Sequence, residues 1–196
     1  MPSQPSPEEE RALQIVLEGG FTFYGLISAL PELPVPLSGW TYQEVVGDQH
    51  RTVRCQSRGV LPHGHDAVVL QALLNLHEQS FLPPGEVICT AEALHRATSL
   101  LSPALRLTDR QLDDALKRLK GAMLTVTQQP QQQGRRGGTA HFCFLDDLEL
   151  ETREGIGGFA LEVVGAHLSR RVLRLRHLVL PDHSTAPVAE MLELEP

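Results

Sequence analysis

The chain has 196 residues, 41% of them hydrophobic, with 17 Lys and Arg against 24 Asp and Glu, for a net charge of -7. Such a length suits one domain or slightly more, and the apolar share is ample for a core. The charge excludes a uniformly basic DNA-binding surface, so any positive face has to be local. Part of the acidity sits at the two ends, in Glu8, Glu9, Glu10, Glu190, Glu193 and Glu195, and the stretch between them is close to neutral. Cys55, Cys89 and Cys143 are isolated, with no CxxC pair, and read as buried free thiols of a reducing cytoplasm. No apolar run approaches the ~20 residues of a membrane span, and no secretory core segment is present, so a cytoplasmic protein with no membrane partner is expected.

Residues 1–10 are rich in Pro, Ser and Glu and read as disordered. A weak helix over 10–17 ends at Gly19-Gly20, and Pro31, Pro34 and Pro36 break the chain afterwards. Residues 1–38 are therefore expected to be a flexible N-terminal arm. Residues 40–46 and 51–60 form a hairpin of β-branched and aromatic strands around the turn at 47–50. Helical spacing of Val69, Leu70, Leu73, Leu74 and Leu76 predicts a helix over 66–79. A short strand at 86–90 leads to a helix over 91–97 capped by Thr90.

The clearest helix spans 109–120. Thr108 caps it, Leu112, Ala115, Leu116 and Leu119 form its stripe, and Gly121 stops it. Its acids lie early and its bases late, as the macrodipole prefers. Strands at 123–129 and 139–145 enclose a loop tipped by Gly134-Arg135-Arg136-Gly137-Gly138. A second strand pair, 147–151 and 159–164, brackets the glycines at 155–158. A short basic helix over 168–177 carries Arg170, Arg171, Arg174 and Arg176, and the pattern is lost from Pro181.

Strand, turn, three helices and hairpin is the layout of a winged helix. The expected fold class is α+β, a winged helix with a β-hairpin wing plus an extra β-hairpin. Its domain covers 39–180, and 181–196 is a tail or the start of a linker. The helix 109–120 would read DNA through Arg110, Lys117, Arg118 and Lys120, and the 123–145 hairpin would be the wing, gripping backbone or minor groove with Arg135 and Arg136. Asp113 and Asp114 oppose phosphate unless Lys117 or its neighbours pair with them.

His63, His65 and Asp66 offer the residue types of a metal site, and a metal-dependent hydrolase is a minor alternative. Spacing of i, i+2 in a loop is a poor ligand signature, and Asp66 is better explained as a first-turn helix acid. No nucleophile elbow, phosphate loop, HExxH or dinucleotide fingerprint occurs, so no catalytic residue, no metal and no cofactor is expected.

The run Arg58-Gly59-Val60-Leu61-Pro62-His63-Gly64-His65-Asp66-Ala67-Val68-Val69-Leu70-Gln71-Ala72-Leu73 resembles the turn before the first long helix of the plasmid replication initiator proteins of the A type, from bacteria. Residues 112–119 and the run Phe142-Cys143-Phe144-Leu145-Asp146-Asp147-Leu148-Glu149-Leu150 are similar in order and spacing. The resemblance covers about residues 40–180. It implies two winged-helix domains, of which the first fits this length, binding of repeated sites at a replication origin, and dimerisation through the first domain. The expected partners are double-stranded DNA, a second copy of the chain and host replication proteins. The alternative is a winged-helix dimerisation or protein-interaction module that makes no DNA contact.

Overall fold

The structure, a computed structural model, describes residues 7–22, 25–34, 37–46, 49–130, 137–154 and 160–177. The N-terminal segment is built into the domain. Helix α1 (Pro7–Gly19), the short strands β1 (Phe21–Thr22) and β2 (Ile27–Ser28), and the turn before β2 supply Val16, Leu26 and Ile27 to the core, each at most 1% exposed. The Phe21 ring stacks on Tyr42 with centroids 4.5 Å apart and tilts against Trp40 at 4.6 Å. The Tyr42 hydroxyl donates to the Gly25 carbonyl at 2.7 Å. The prolines that suggest an arm only end regular structure, whereas the apolar residues before them decide where the segment goes.

Strands β3 (Gly39–Val46) and β4 (Gln49–Ser57) pair as the expected hairpin. Helix α2 (Asp66–Gln79) follows, and Val69, Leu70, Ala72, Leu73 and Leu74 are buried on a face wide enough to meet several neighbours. Strand β5 (Glu86–Thr90) leads into α3 (Ala91–Leu101), where the Thr90 hydroxyl accepts from the Ala93 amide at 3.1 Å. This helix runs past the expected end at 97. Thr98 donates its hydroxyl to the His95 carbonyl at 2.8 Å and is buried, so a residue that often competes with helices is satisfied inside one.

Helix α4 (Asp109–Gly121) begins with a full capping box. The Thr108 hydroxyl accepts from the Gln111 amide at 3.3 Å, and the Gln111 side chain accepts from the Thr108 amide at 2.9 Å. Leu112, Ala115, Leu116 and Leu119 are buried, and burial of each leucine contributes about 1.5–3 kcal/mol. Both α3 and α4 pack on α2.

The chain continues through β6 (Ala122–Pro130), β7 (Gly138–Cys143), β8 (Leu145–Glu154), β9 (Ala160–Leu168) and α5 (Arg170–His177). Pairing divides the larger strands into two antiparallel sheets, β3-β4-β6-β7 and β5-β9-β8. The strand between α2 and α3 thus closes against β9, so the hairpin that completes the three-helix unit is β8–β9. The 123–145 hairpin, expected as the wing, instead continues the β3–β4 hairpin, because β6 pairs with β4 in unbroken register from Gln49↔Pro130 to Ser57↔Ala122. Buried residues of both sheets and the helices form one core. No helix among the described residues is long and apolar enough to cross a membrane.

Candidate nucleic-acid interface

The loop before α2 is shaped by a buried carboxylate. Asp66 has no exposed surface, and its Oδ2 accepts from the His63 amide at 3.0 Å. Arg118 of α4 donates to both oxygens of Asp66, from Nε to Oδ2 at 2.8 Å and from Nη2 to Oδ1 at 2.7 Å. Burial opposes the charge on Arg118, but Asp66 outweighs it and raises the guanidinium pKa. Gly64 holds φ +52° beneath this pair, and its amide donates to the Ser28 carbonyl at 2.8 Å.

A metal does not fit here. Both Asp66 oxygens are taken by Arg118, and the His63 Nδ1 lies 2.7 Å from the Leu61 carbonyl, where a ring N–H donates. His65 is held below its ordinary pKa by burial, which the nearby Asp66 only partly offsets. Among the described residues no group of three metal-holding side chains forms.

The other cations of α4 have carboxylate or carbonyl partners. Lys117 Nζ is 2.6 Å from Asp113 Oδ2, a hydrogen bond that raises the lysine pKa. Arg110 Nε is 3.9 Å from Asp114 Oδ2. Lys120 donates to the Asp146 carbonyl and lies 3.8 Å from Asp147 Oδ1. Asp113 and Asp114 are thus compensated along the helix, as their spacing suggests. The Lys117, Arg110 and Lys120 pairs are solvent-exposed and give way to a competing anion at little cost. The Arg118 pair is not of that kind, because separating it leaves Asp66 charged and buried.

Two concavities flank α4. One, of about 930 Å³, lies beside its second half, with Arg58, Lys117, Arg118 and Lys120 in its lining against a single carboxylate, Asp114. Arg58 is exposed and, among the described residues, has no ion-pair partner. The other, of about 330 Å³, lies between the first half of α4 and the β8–β9 hairpin. Asp109, Asp113, Glu151 and Glu162 line it against Arg110 alone. Glu151 is held below its ordinary pKa by a hydrogen bond from Arg153.

The helix therefore separates the residues expected to act together. Lys117, Arg118 and Lys120 share the cationic groove, whereas Arg110 opens onto the acidic cleft. Arg135 and Arg136 lie outside the described residues, as does the glycine run at 155–158. Arg58 belongs to the groove and is missed by reading α4 alone. Its only sequence signal is its place in the turn before α2, which says nothing about which helix faces it.

No protein-family model and no curated protein matches the chain. Two crystal structures of domains 2 and 3 of RctB are similar to it, each with a TM-score of 0.51, at 13% and 12% identity. The matches cover 71% and 73% of this chain and 55% and 56% of the RctB chains. The chain thus spans just over half the length of those two-domain structures, and what it shares with them is the α+β, winged-helix-like fold.

Proposed function

We propose that this chain is the DNA-binding and self-associating winged-helix part of a bacterial replication initiator of the plasmid A type, recognising repeated origin sites in double-stranded DNA. The observation that carries the reading is the groove in which Arg58, without an ion-pair partner among the described residues, stands beside Lys117 and Lys120. It concentrates positive charge on one side of a chain that is acidic as a whole. Duplex phosphates would exchange with Asp113 and Asp146 for the two lysines, and Arg58, which has no ion-pair partner among the described residues, would meet them directly. Arg118 holds the helix in place. Arg135 and Arg136, which follow β6 in the sequence, would add backbone or minor-groove contacts. Host replication proteins are the further partners this role implies.

The test is a duplex titration at several salt concentrations with origin-repeat and unrelated sequences. Arg58→Ala and Lys117→Ala should each lower the slope of log K on log salt by about one. Arg110→Ala, on the acidic side, should change it least. Equal slopes for the wild type and both groove variants would sink the reading.

The acidic cleft between α4 and β8–β9 favours a second reading, a protein-interaction module. Phosphate is repelled where Asp109, Asp113, Glu151 and Glu162 converge, and a cationic protein segment would be accepted there. Retained duplex binding in Glu151→Lys, with loss of a protein partner, would assign the two sides of α4 to different ligands.

A further inference from the structure

The four-stranded sheet has one face on the core and one in solvent. Its strands contain a single carboxylate, Glu44, in a chain with 24 acidic residues. Glu44 does not reach the open face, since its Oε1 lies 2.5 Å from Nε of Arg51, which is only 5% exposed. Among the described residues, the four strands thus present no acid on the open face.

Strand register fixes what stands there. Gln56, Met123 and Cys143 form one row across β4, β6 and β7, and the same three residues line the cationic groove. Sheet face and groove therefore share a border. The next row, about 7 Å further along the strands, is Thr41, Arg54, Thr125 and His141. Beyond it come Gln43, Thr52, Thr127 and Thr139. Arg54 is exposed and, among the described residues, has no ion-pair partner. Thr125 and His141 hydrogen-bond across the strands at 3.0 Å, and Thr127 and Thr139 at 3.2 Å, which holds these polar groups in place on the surface.

We infer that this face is a docking track for the sugar–phosphate backbone of duplex DNA, continuing the path that begins at Arg58 and Lys117. It rests on the DNA-binding reading of the groove. Charge decides the occupant: a surface with Arg54 and hydroxyl and amide donors and no carboxylate is complementary to phosphate. No Phe, Tyr or Trp stands in these rows, and the one imidazole, His141, is tied to Thr125, which favours a duplex over a single strand. The track would lengthen the contact beyond α4, and the sheet would add affinity without reading sequence.

The test uses the full chain and a fluorescent duplex of unrelated sequence, with Arg54→Glu, Thr125→Glu and Arg58→Ala compared across salt. Thr125→Glu places a carboxylate on the face while removing no cation. The expected result is weaker binding in all three, with the salt slope lowered by about one in Arg54→Glu and Arg58→Ala, at unchanged thermal midpoint and solution mass. Weakening by Arg58→Ala alone would overturn the track and leave the groove standing. An unbound wild type would overturn both. Unchanged duplex affinity with an altered solution mass in Arg54→Glu and Thr125→Glu would assign the face to a second copy of the chain and overturn the track.

Discussion

Arg118 and Asp66, 52 residues apart in sequence, form a two-pronged ion pair that ties α4 to the first turn of α2. It fixes the helix that carries Lys117 and Lys120 relative to the loop that carries Arg58. A residue with the chemistry of a DNA contact thus serves to position others.

Breaking that pair is expected to be costly. Arg118→Ala leaves the fully buried Asp66 charge uncompensated, and a loss of about 3–5 kcal/mol should appear in the denaturant midpoint. Replacing both partners, as Asp66→Leu with Arg118→Leu, should recover much of it. Duplex binding by the refolded double variant should persist, because neither side chain is proposed to touch phosphate. Equal stability of Arg118→Ala and wild type would refute the role.

Stability should depend on pH through His65. Its pKa in the fold lies below the ordinary 6.5, chiefly through burial, so near neutral pH it is neutral in both states. As pH falls through about 6.5 the unfolded chain takes up the proton first. Stability is therefore lost from there down to the lower folded pKa, where the loss levels off. Urea midpoints measured from pH 7.5 to 5 should fall in the wild type and fall less in His65→Gln.

Gly64 should not tolerate a side chain. At φ +52° its added Cβ would meet the Leu30 carbonyl oxygen at 3.0 Å and the Pro31 Cα at 3.1 Å. Left-handed backbone costs an L-residue roughly 1–2 kcal/mol before any clash. Gly64→Ala should lower the thermal midpoint, and a midpoint equal to the wild type would show that the turn relaxes.

Arg135→Ala with Arg136→Ala should weaken duplex binding and flatten its salt dependence while leaving the thermal midpoint in place. These arginines follow β6, a strand of the sheet proposed to carry the duplex. Unchanged affinity at every salt concentration would remove these two arginines from the interface.

The sequence by itself determined the local elements. Thr90 and Thr108 cap the helices they were expected to cap, since a cap depends on residues three or four apart. The apolar stripe of α4 is buried as its spacing predicts, and the pairing of Asp113 with Lys117 follows from one helical turn. The winged-helix class was legible for the same reason, being an order of local elements. Only the tertiary structure decided which hairpin closes the three helices. Hairpins 122–143 and 145–168 have similar patterns, and the choice lies in β5 pairing with β9 and β6 with β4, contacts between distant segments. It likewise decided that Val16, Leu26 and Ile27 join the core, and that among the four cations of α4 one is locked on Asp66, one faces acid and two join Arg58. Side-chain chemistry is written in the chain, but the field around each charge is set by what folding brings beside it.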